Sequence, residues 1–368
     1  MAKSGEDRLS TLPIELIHRI LSFLDAAAAV KTCILSKRWR SIWKCLPVLN
    51  LDDNYFQDTY AFDYFVDHIL SLRDDSANLY ELNVVCHEEL EDGDVIDSII
   101  DHVTQTPSIL SHIQVLTIQA ECVVQNLHNL SICQSLTTLE LSEIAMEITP
   151  FNFPSLKCFY LFDCRFESGS ETFFNAFEDC ANLEQLFIDD CFFYGEIQNF
   201  QIVAPKLIEL RISHWRVDEV FDSDCVIELF TPKLQLFRYH DSYMYEFSTE
   251  ESLSFVEEVY IDMDEFSEDK DLFLRLTELF EIMESAKSVF LSTSIIQVLS
   301  MFSKELAEES SPFSRVETIK LIKDSSSSSS SSYAVPSTVM NYLFGKSTEF
   351  DIYEWKGTKS RSIQICKG

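Results

Sequence analysis

From residue 79 onward the chain repeats a phrase of apolar positions, L-x-x-L-x-L, whose last two members share one side of an extended segment. It reads Leu79/Leu82/Val84, Ile113/Leu116/Ile118, Leu136/Leu139/Leu141, Leu156/Phe159/Leu161, Leu183/Leu186/Ile188 and Leu207/Leu210/Ile212. Weaker copies follow at Leu234/Phe237/Tyr239, Val256/Val259/Ile261, Ala286/Val289/Leu291 and Val316/Ile319/Leu321. After a first gap of 34 residues the copies recur every 20 to 30, a period at which one strand and its return segment stack on the next. The pattern therefore predicts an α/β solenoid of parallel strands with irregular or helical returns over 79–323. Before it the periodicity is helical. Leu12 to Leu24 forms an amphipathic stretch with Pro13 and Glu15 in its first turn, a second helix runs from Ala26 to about Ile34, and Ser36 is expected to cap a third carrying Trp39, Ile42 and Trp43. Three short helices bury little surface, so this module, residues 1–50, is expected to be completed by a partner. Residues 51–78 read as a helical linker. Asp324 and the eight serines after it, bounding a linker at 324–332, separate a C-terminal region, 333–368. That region is expected to hold a helix over Val339 to Phe344 and strands near 350–355 and 362–365, and its role is left unassigned.

Charge is distributed unevenly. Residues 1–50 carry eight Lys or Arg against four acids, whereas the whole chain has a net charge of −33, so the remaining 318 residues carry −37. A body so acidic repels phosphate backbones, which argues against nucleic acid and against anionic membrane surfaces as partners. It also argues against reading Lys37-Arg-Trp-Arg40 as a DNA recognition helix. With a polar start and no apolar run long enough for a membrane span, a cytoplasmic or nuclear protein is expected. The eleven cysteines lie in apolar stretches without a C-x-x-C pair, as small hydrophobes do in a reducing compartment. The sequon at Asn129 to Ser131 is expected to be unused.

Catalytic patterns are missing. Only seven glycines occur, with no phosphate-binding glycine loop, no G-x-S-x-G and no H-E-x-x-H. Cys164 and Cys191 sit three residues past the last strand apolar, where a side chain bonds the backbone of adjacent turns. Together with Cys180 they therefore read as ladder and core residues, and no metal site is expected. Trp215, Tyr239, His240, Tyr243 and Tyr245 lie just past strand positions and are the candidate substrate-binding anchors. The acidic body implies a protein target with a basic surface.

Asp7-Arg8-Leu9-Ser10-x-Leu12-Pro13-x-Glu15-Leu16-Ile17-x-x-Ile20-Leu21-Ser22-Phe23-Leu24, then Val30-x-Thr32-x-x-Leu35-Ser36-Lys37-Arg38-Trp39-Arg40-x-x-Trp43, resembles the F-box of plant F-box proteins. The helix over Phe65 to Arg73 resembles the one that follows the F-box in that family, and the stretch from Asp94 to Thr106 stands where the family has a helix leading into the repeats but lacks its tryptophan. Phrases such as Ala204-Pro-Lys-Leu207 and Thr231-Pro-Lys-Leu234 are similar to the leucine-rich repeats of the family and its FBD-type relatives. The resemblance implies docking to the SKP-family adaptor of an SCF cullin–RING ubiquitin ligase, with the repeats holding a target for ubiquitination. Ligase chemistry would belong to partner enzymes, and this chain would have none of its own. The contact strip it implies is Leu12, Pro13, Ile17, Ile20 and Leu21, supported or extended by Val30, Leu35, Ser36, Trp39 and Trp43. Phe23 and Ile34 are expected in the module's own core. In place of the family's proline-containing turn stands Asp25-Ala-Ala-Ala-Ala29, so the first helix is expected to run on or its turn to loosen. No cofactor is expected: the inositol phosphate held by plant hormone receptors of this class needs a basic centre, and the repeats show no basic cluster. The alternative is a SKP-binding repeat scaffold acting outside a cullin ligase.

Overall fold

The structure is a computed structural model that describes residues 11–87, 94–147, 149–167, 173–195, 197–217, 225–264, 269–322 and 335–345. The poly-serine tract and the two C-terminal strands expected near 350–355 and 362–365 lie outside the described residues. Two compact units are present, Met1–Leu207 with Trp215–Ser223, and Ile208–His214 with Asp224–Gly368.

In the first unit, the helices Ile14–Leu21 and Ala26–Lys31 and two short 3-10 segments, Thr32–Ile34 and Trp39–Cys45, lead into a strand, Val48–Asp52. Parallel strands Glu81–Val85, Val115–Val123, Thr138–Glu147, Cys158–Phe162 and Gln185–Asp189 follow it in order. Their register is the repeat phrase itself: Leu49, Leu82, Leu116, Leu139, Phe159 and Leu186 lie side by side, as do Leu51, Val84, Ile118, Leu141, Leu161 and Ile188. All twelve are essentially inaccessible. Since full burial of one aliphatic side chain stabilises by about 1.5–3 kcal/mol, these two rows are the main cohesive element of the sheet.

The strand Val48–Asp52 corrects the expected linker at 51–78. Leu46, Leu49 and Leu51 are a further copy of the phrase, buried like the rest, which overlaps the end of the helical module. Returns are helical in the early turns (Thr59–Ser71, then Asp94–Gln105 with Pro107–Leu110). Later they become extended, and Phe173–Asn175 and Asn199–Val203 pair in a small second sheet.

In the second unit the strands Glu209–Ser213, Leu236–Asp241, Glu258–Met263, Ser288–Ser292 and Thr318–Ile322 again run parallel, with Leu210, Phe237, Val259, Val289 and Ile319 in one buried row. Helices Lys270–Ile282, Thr293–Met301 and Ser303–Leu306 form returns, and Ser337–Phe344 supplies the helix expected near Val339 to Phe344. Every weaker copy of the phrase thus became a strand.

Corners after three strands, and a bend inside the strand Thr138–Glu147, share one device. Glu143, Asp163, Asp190 and His214 have φ of 65°, 51°, 52° and 45°, the left-handed region that non-glycine residues rarely occupy. The residue after each, Ile144, Cys164, Cys191 or Trp215, is buried. Cys164 Sγ lies 3.4 Å from the Leu141 carbonyl of the preceding turn, and the Phe192 N–H donates to the Cys164 carbonyl at 2.8 Å, the ladder role expected of it.

The first unit is expected to be acid-sensitive. His102, on the helix Asp94–Gln105, is held below its ordinary value of 6.5 by burial and by the neighbouring Arg73 guanidinium, against the opposing pull of Asp67. Burial lowers His18 likewise, against Glu15. An imidazole with a depressed folded-state value contributes stability that is complete above the unfolded value of 6.5 and is lost as the pH falls below it. The urea midpoint is expected to drop between about pH 7.5 and about pH 5, and His102→Leu should flatten that slope. An unchanged slope would exclude His102 as its source.

Candidate docking face

The helical module is closed by backbone ties. Asp25 caps the second helix, its carboxylate accepting the Ala28 N–H at 2.8 Å, and Asn50 Nδ2 donates to the carbonyls of Ser22 and Leu24 at 2.9 and 3.0 Å. The first helix therefore stops at Leu21 without a proline, and the expected run-on does not occur. Buried Ala26, Ala27 and Ala29 let the second helix pack closely beside the first strand. Arg38 Nη2 ties the last helical segment to the Leu12 carbonyl at 2.6 Å. Ser36 is not its cap: the segment starts at Trp39 behind Arg38, with no side-chain capping bond.

These ties divide the apolar residues of the module into two sets. Ile17 and Leu21 are buried with Trp39, Ile42 and Trp43. They build the interior, so Ile17 and Leu21, expected in the contact strip, lie inside the module and not on its surface. Outside are Ile14, Leu16, Ile20, Phe23, Ile34 and Leu35, of which Phe23 is 73% and Ile34 84% exposed. The expectation that Phe23 and Ile34 are core is thereby reversed. The 3-10 turn Thr32–Ile34 ends the helix before Ile34 can fold back, and Phe23 lies past the end of the first helix. Pro13 is exposed at the start of that helix, while Leu12 and Val30 are half-buried. Six large apolar side chains exposed within 22 residues of chain, from Ile14 to Leu35, are a surface that a soluble domain ordinarily covers.

The repeat surface differs from the expected one as well. Trp215, Tyr239 and Tyr245 are buried. The corner turns Trp215 inward against Phe193 and Phe200, and the Tyr239 hydroxyl donates to the Tyr243 carbonyl. Tyr243 is half-buried and engaged by Arg275, which donates to its hydroxyl and lies over its ring. The His240 side chain is 39% open. It donates to, or shares a proton with, Asp264 at 2.9 Å. Burial pushes the Asp264 carboxyl up, but the bond and charge of His240, with Ser242 and His214, outweigh it and hold the group below the usual carboxylate range.

Sequence reasoning missed a row in the second unit. Arg211, Arg238, Tyr260, Phe290 and Lys320 are adjacent in register across five strands. Arg238 lies 4.2 Å over the Tyr260 ring, Tyr260 stacks on Phe290 at 3.9 Å, and Lys320 lies 4.8 Å over Phe290. Two stacked aromatics stand between cations at the repeat period, a signal that only alignment of the copies by their buried positions reveals. The repeats are acidic in sum, yet this face has a basic and aromatic centre flanked by Glu209 and Glu258, which corrects the expectation that the repeats hold no basic cluster.

Residues 9–51 match the F-box domain family. That span ends within the first strand of the sheet, so the domain and the repeats share an element. The chain is 32% identical to F-box/LRR-repeat protein 13 of Arabidopsis thaliana over 64% of its own length and 52% of that protein's. It is 31% identical to an Arabidopsis F-box protein over 50% of this chain and 46% of the other, and 29% identical to an Arabidopsis F-box/FBD/LRR-repeat protein over 57% and 45%. The chain thus spans about half the length of the curated relatives it matches.

Proposed function

We propose that this chain, which carries an F-box domain on parallel-strand repeats, is a substrate-recruiting adaptor of an SCF-type ubiquitin ligase. Its F-box would dock the SKP-family adaptor, and through it a cullin, while its repeats hold the target protein. The observation that carries the reading is the exposed apolar set Ile14, Leu16, Ile20, Phe23, Ile34 and Leu35, on a domain matched to the F-box. On docking, those side chains leave water, and their removal from solvent supplies the affinity. Pro13, half-buried Leu12 and Val30 border the surface, and Ser36 with Trp39 and Trp43 supports it from behind.

Target capture would fall to the strand face of the second unit, where Arg238, Tyr260, Phe290 and Lys320 offer anchors and His240 lies nearby. The net charge of −33 favours encounter with proteins of basic surface through the acidic remainder of the chain and not through this row. Catalysis would then be proximity alone, the target held near enzymes that perform the transfer. Action in the cytoplasm or nucleus fits a chain in which, among the described residues, no helix is long and apolar enough to cross a membrane. Affinity purification of the tagged chain from plant cells tests the assignment. Recovery of both a SKP-family protein and a cullin is expected, and a SKP-family protein without any cullin would mean a scaffold acting outside the ligase.

A further inference from the structure

We propose a zinc-binding site in the second unit, formed by His214, His240 and Asp264 on successive turns of the repeat. It is independent of the adaptor reading. His240 Nε2 lies 2.9 Å from Asp264 Oδ1, and His214 Nδ1 lies 3.8 Å from Asp264 Oδ2. The three donor atoms all fall within 4.8 Å of one another. Zinc bound by imidazole nitrogen and carboxylate oxygen at about 2.0–2.1 Å in tetrahedral geometry holds its ligands roughly 3.3 Å apart, a spacing these separations bracket. One carboxylate stands before two imidazole rings whose centroids are 4.6 Å apart. Only His240 reaches it at hydrogen-bond distance, and His214 at 3.8 Å does not. A single ion among them would accept a nitrogen lone pair from each ring and one carboxylate oxygen.

The backbone holds the donors where they are. The His214 N–H donates to the His240 carbonyl at 2.9 Å, so two ligands belong to directly bonded turns. Asp264 follows the next strand, and its second oxygen accepts from Ser242 Oγ at 3.1 Å, an outer bond of the kind that orients a ligating carboxylate. Three protein donors leave one position of a tetrahedron open. Asp262, whose carboxylate lies 3.9 Å from His240 Nε2, can complete the set, or the position stays available to water or to a side chain of a bound protein. Among the described residues the other grouping of this kind, Asp52, Asp53 and His87, offers one imidazole, and Asp53 there already accepts both the ring and the backbone N–H of His87 at 2.8 Å. It serves as the internal control.

The test uses the purified full chain, stripped with a chelator and titrated with Zn²⁺ against a competing chromophoric indicator, and separately with Co²⁺ for its visible spectrum. One equivalent of zinc per chain is expected. His240→Gln and Asp264→Asn should each weaken binding by about ten-fold or more and Ser242→Ala by about ten-fold, with Asp53→Asn unchanged. Cobalt should show a tetrahedral spectrum without a thiolate charge-transfer band. Absence of zinc binding, affinity indifferent to His240→Gln and Asp264→Asn, or a thiolate band in the wild-type chain would each overturn the site. The cobalt spectrum needs no variant, so the outcome stands even if a substitution disturbs folding.

Discussion

Replacing Ile20, Phe23 and Ile34 together with glutamate is expected to abolish capture of the SKP-family adaptor and leave the unfolding transition of the chain unchanged. The three side chains are 45%, 73% and 84% exposed, so a carboxylate at each position stays in water in the free protein. Bound, each carboxylate would have to enter an apolar interface unpaired, and the burial of the original side chain would be lost. Central apolar contacts commonly cost about 2 kcal/mol or more each when removed, so at least a hundred-fold loss of affinity is expected. Ile17→Glu is the contrasting variant: at 0% exposure it should lose the fold of the module together with binding. Isothermal titration with the purified adaptor, beside thermal melts, separates the two. Normal affinity in the triple variant would mean that the exposed set is not the docking face.

The second large effect concerns Trp215. Trp215→Ala should destabilise the first unit by about 3–5 kcal/mol, the range for truncating a large aromatic in a packed core. Its indole lies 4.9 Å from Phe200 and 5.7 Å from Phe193, and Phe193 in turn stacks on Phe166 at 4.5 Å. The cluster continues through Phe151, Phe159 and Phe177, so a cavity at Trp215 removes contacts from rings of several turns at once. Trp215→Phe should retain most of the stability. Urea denaturation followed by near-ultraviolet dichroism reads the difference. A Trp215→Ala chain as stable as wild type but deficient in target capture would restore the surface role that its sequence position suggests.

That reversal shows where the sequence is legible. A strand in this fold needs apolar residues at two or three fixed places and a neighbour of the same period, so even Ala286/Val289/Leu291 could be read. The F-box motif was legible for the same reason, since its residues recur at fixed spacing. Direction was not. The first helix has apolar residues on more than one side, and nothing in Ile17 or Ile20 says which faces in. The tie of Asn50 to the end of that helix decides it, from a strand 26 and 28 residues away. Trp215 and His214 are neighbours in sequence, yet the left-handed corner buries the one and leaves the other at the surface. The row from Arg211 to Lys320 and the histidine pair arise only when separate turns are laid in register.

The cysteines of the turns carry a consequence for chemical reactivity. Cys191 is pushed far up, first by burial and then by the adjoining Cys164, while burial and nearby acidic groups bring Cys86 and Cys122 to about 12. Burial likewise brings Cys133 to about 11. The thiolate is the reactive form, so these sulfurs are inert to alkylating reagents while their turns stay closed. Because they are spread along the repeats, each marks a different turn. The rate at which each sulfur is alkylated then reports how often that part of the stack opens, turning an apolar packing residue into a local clock.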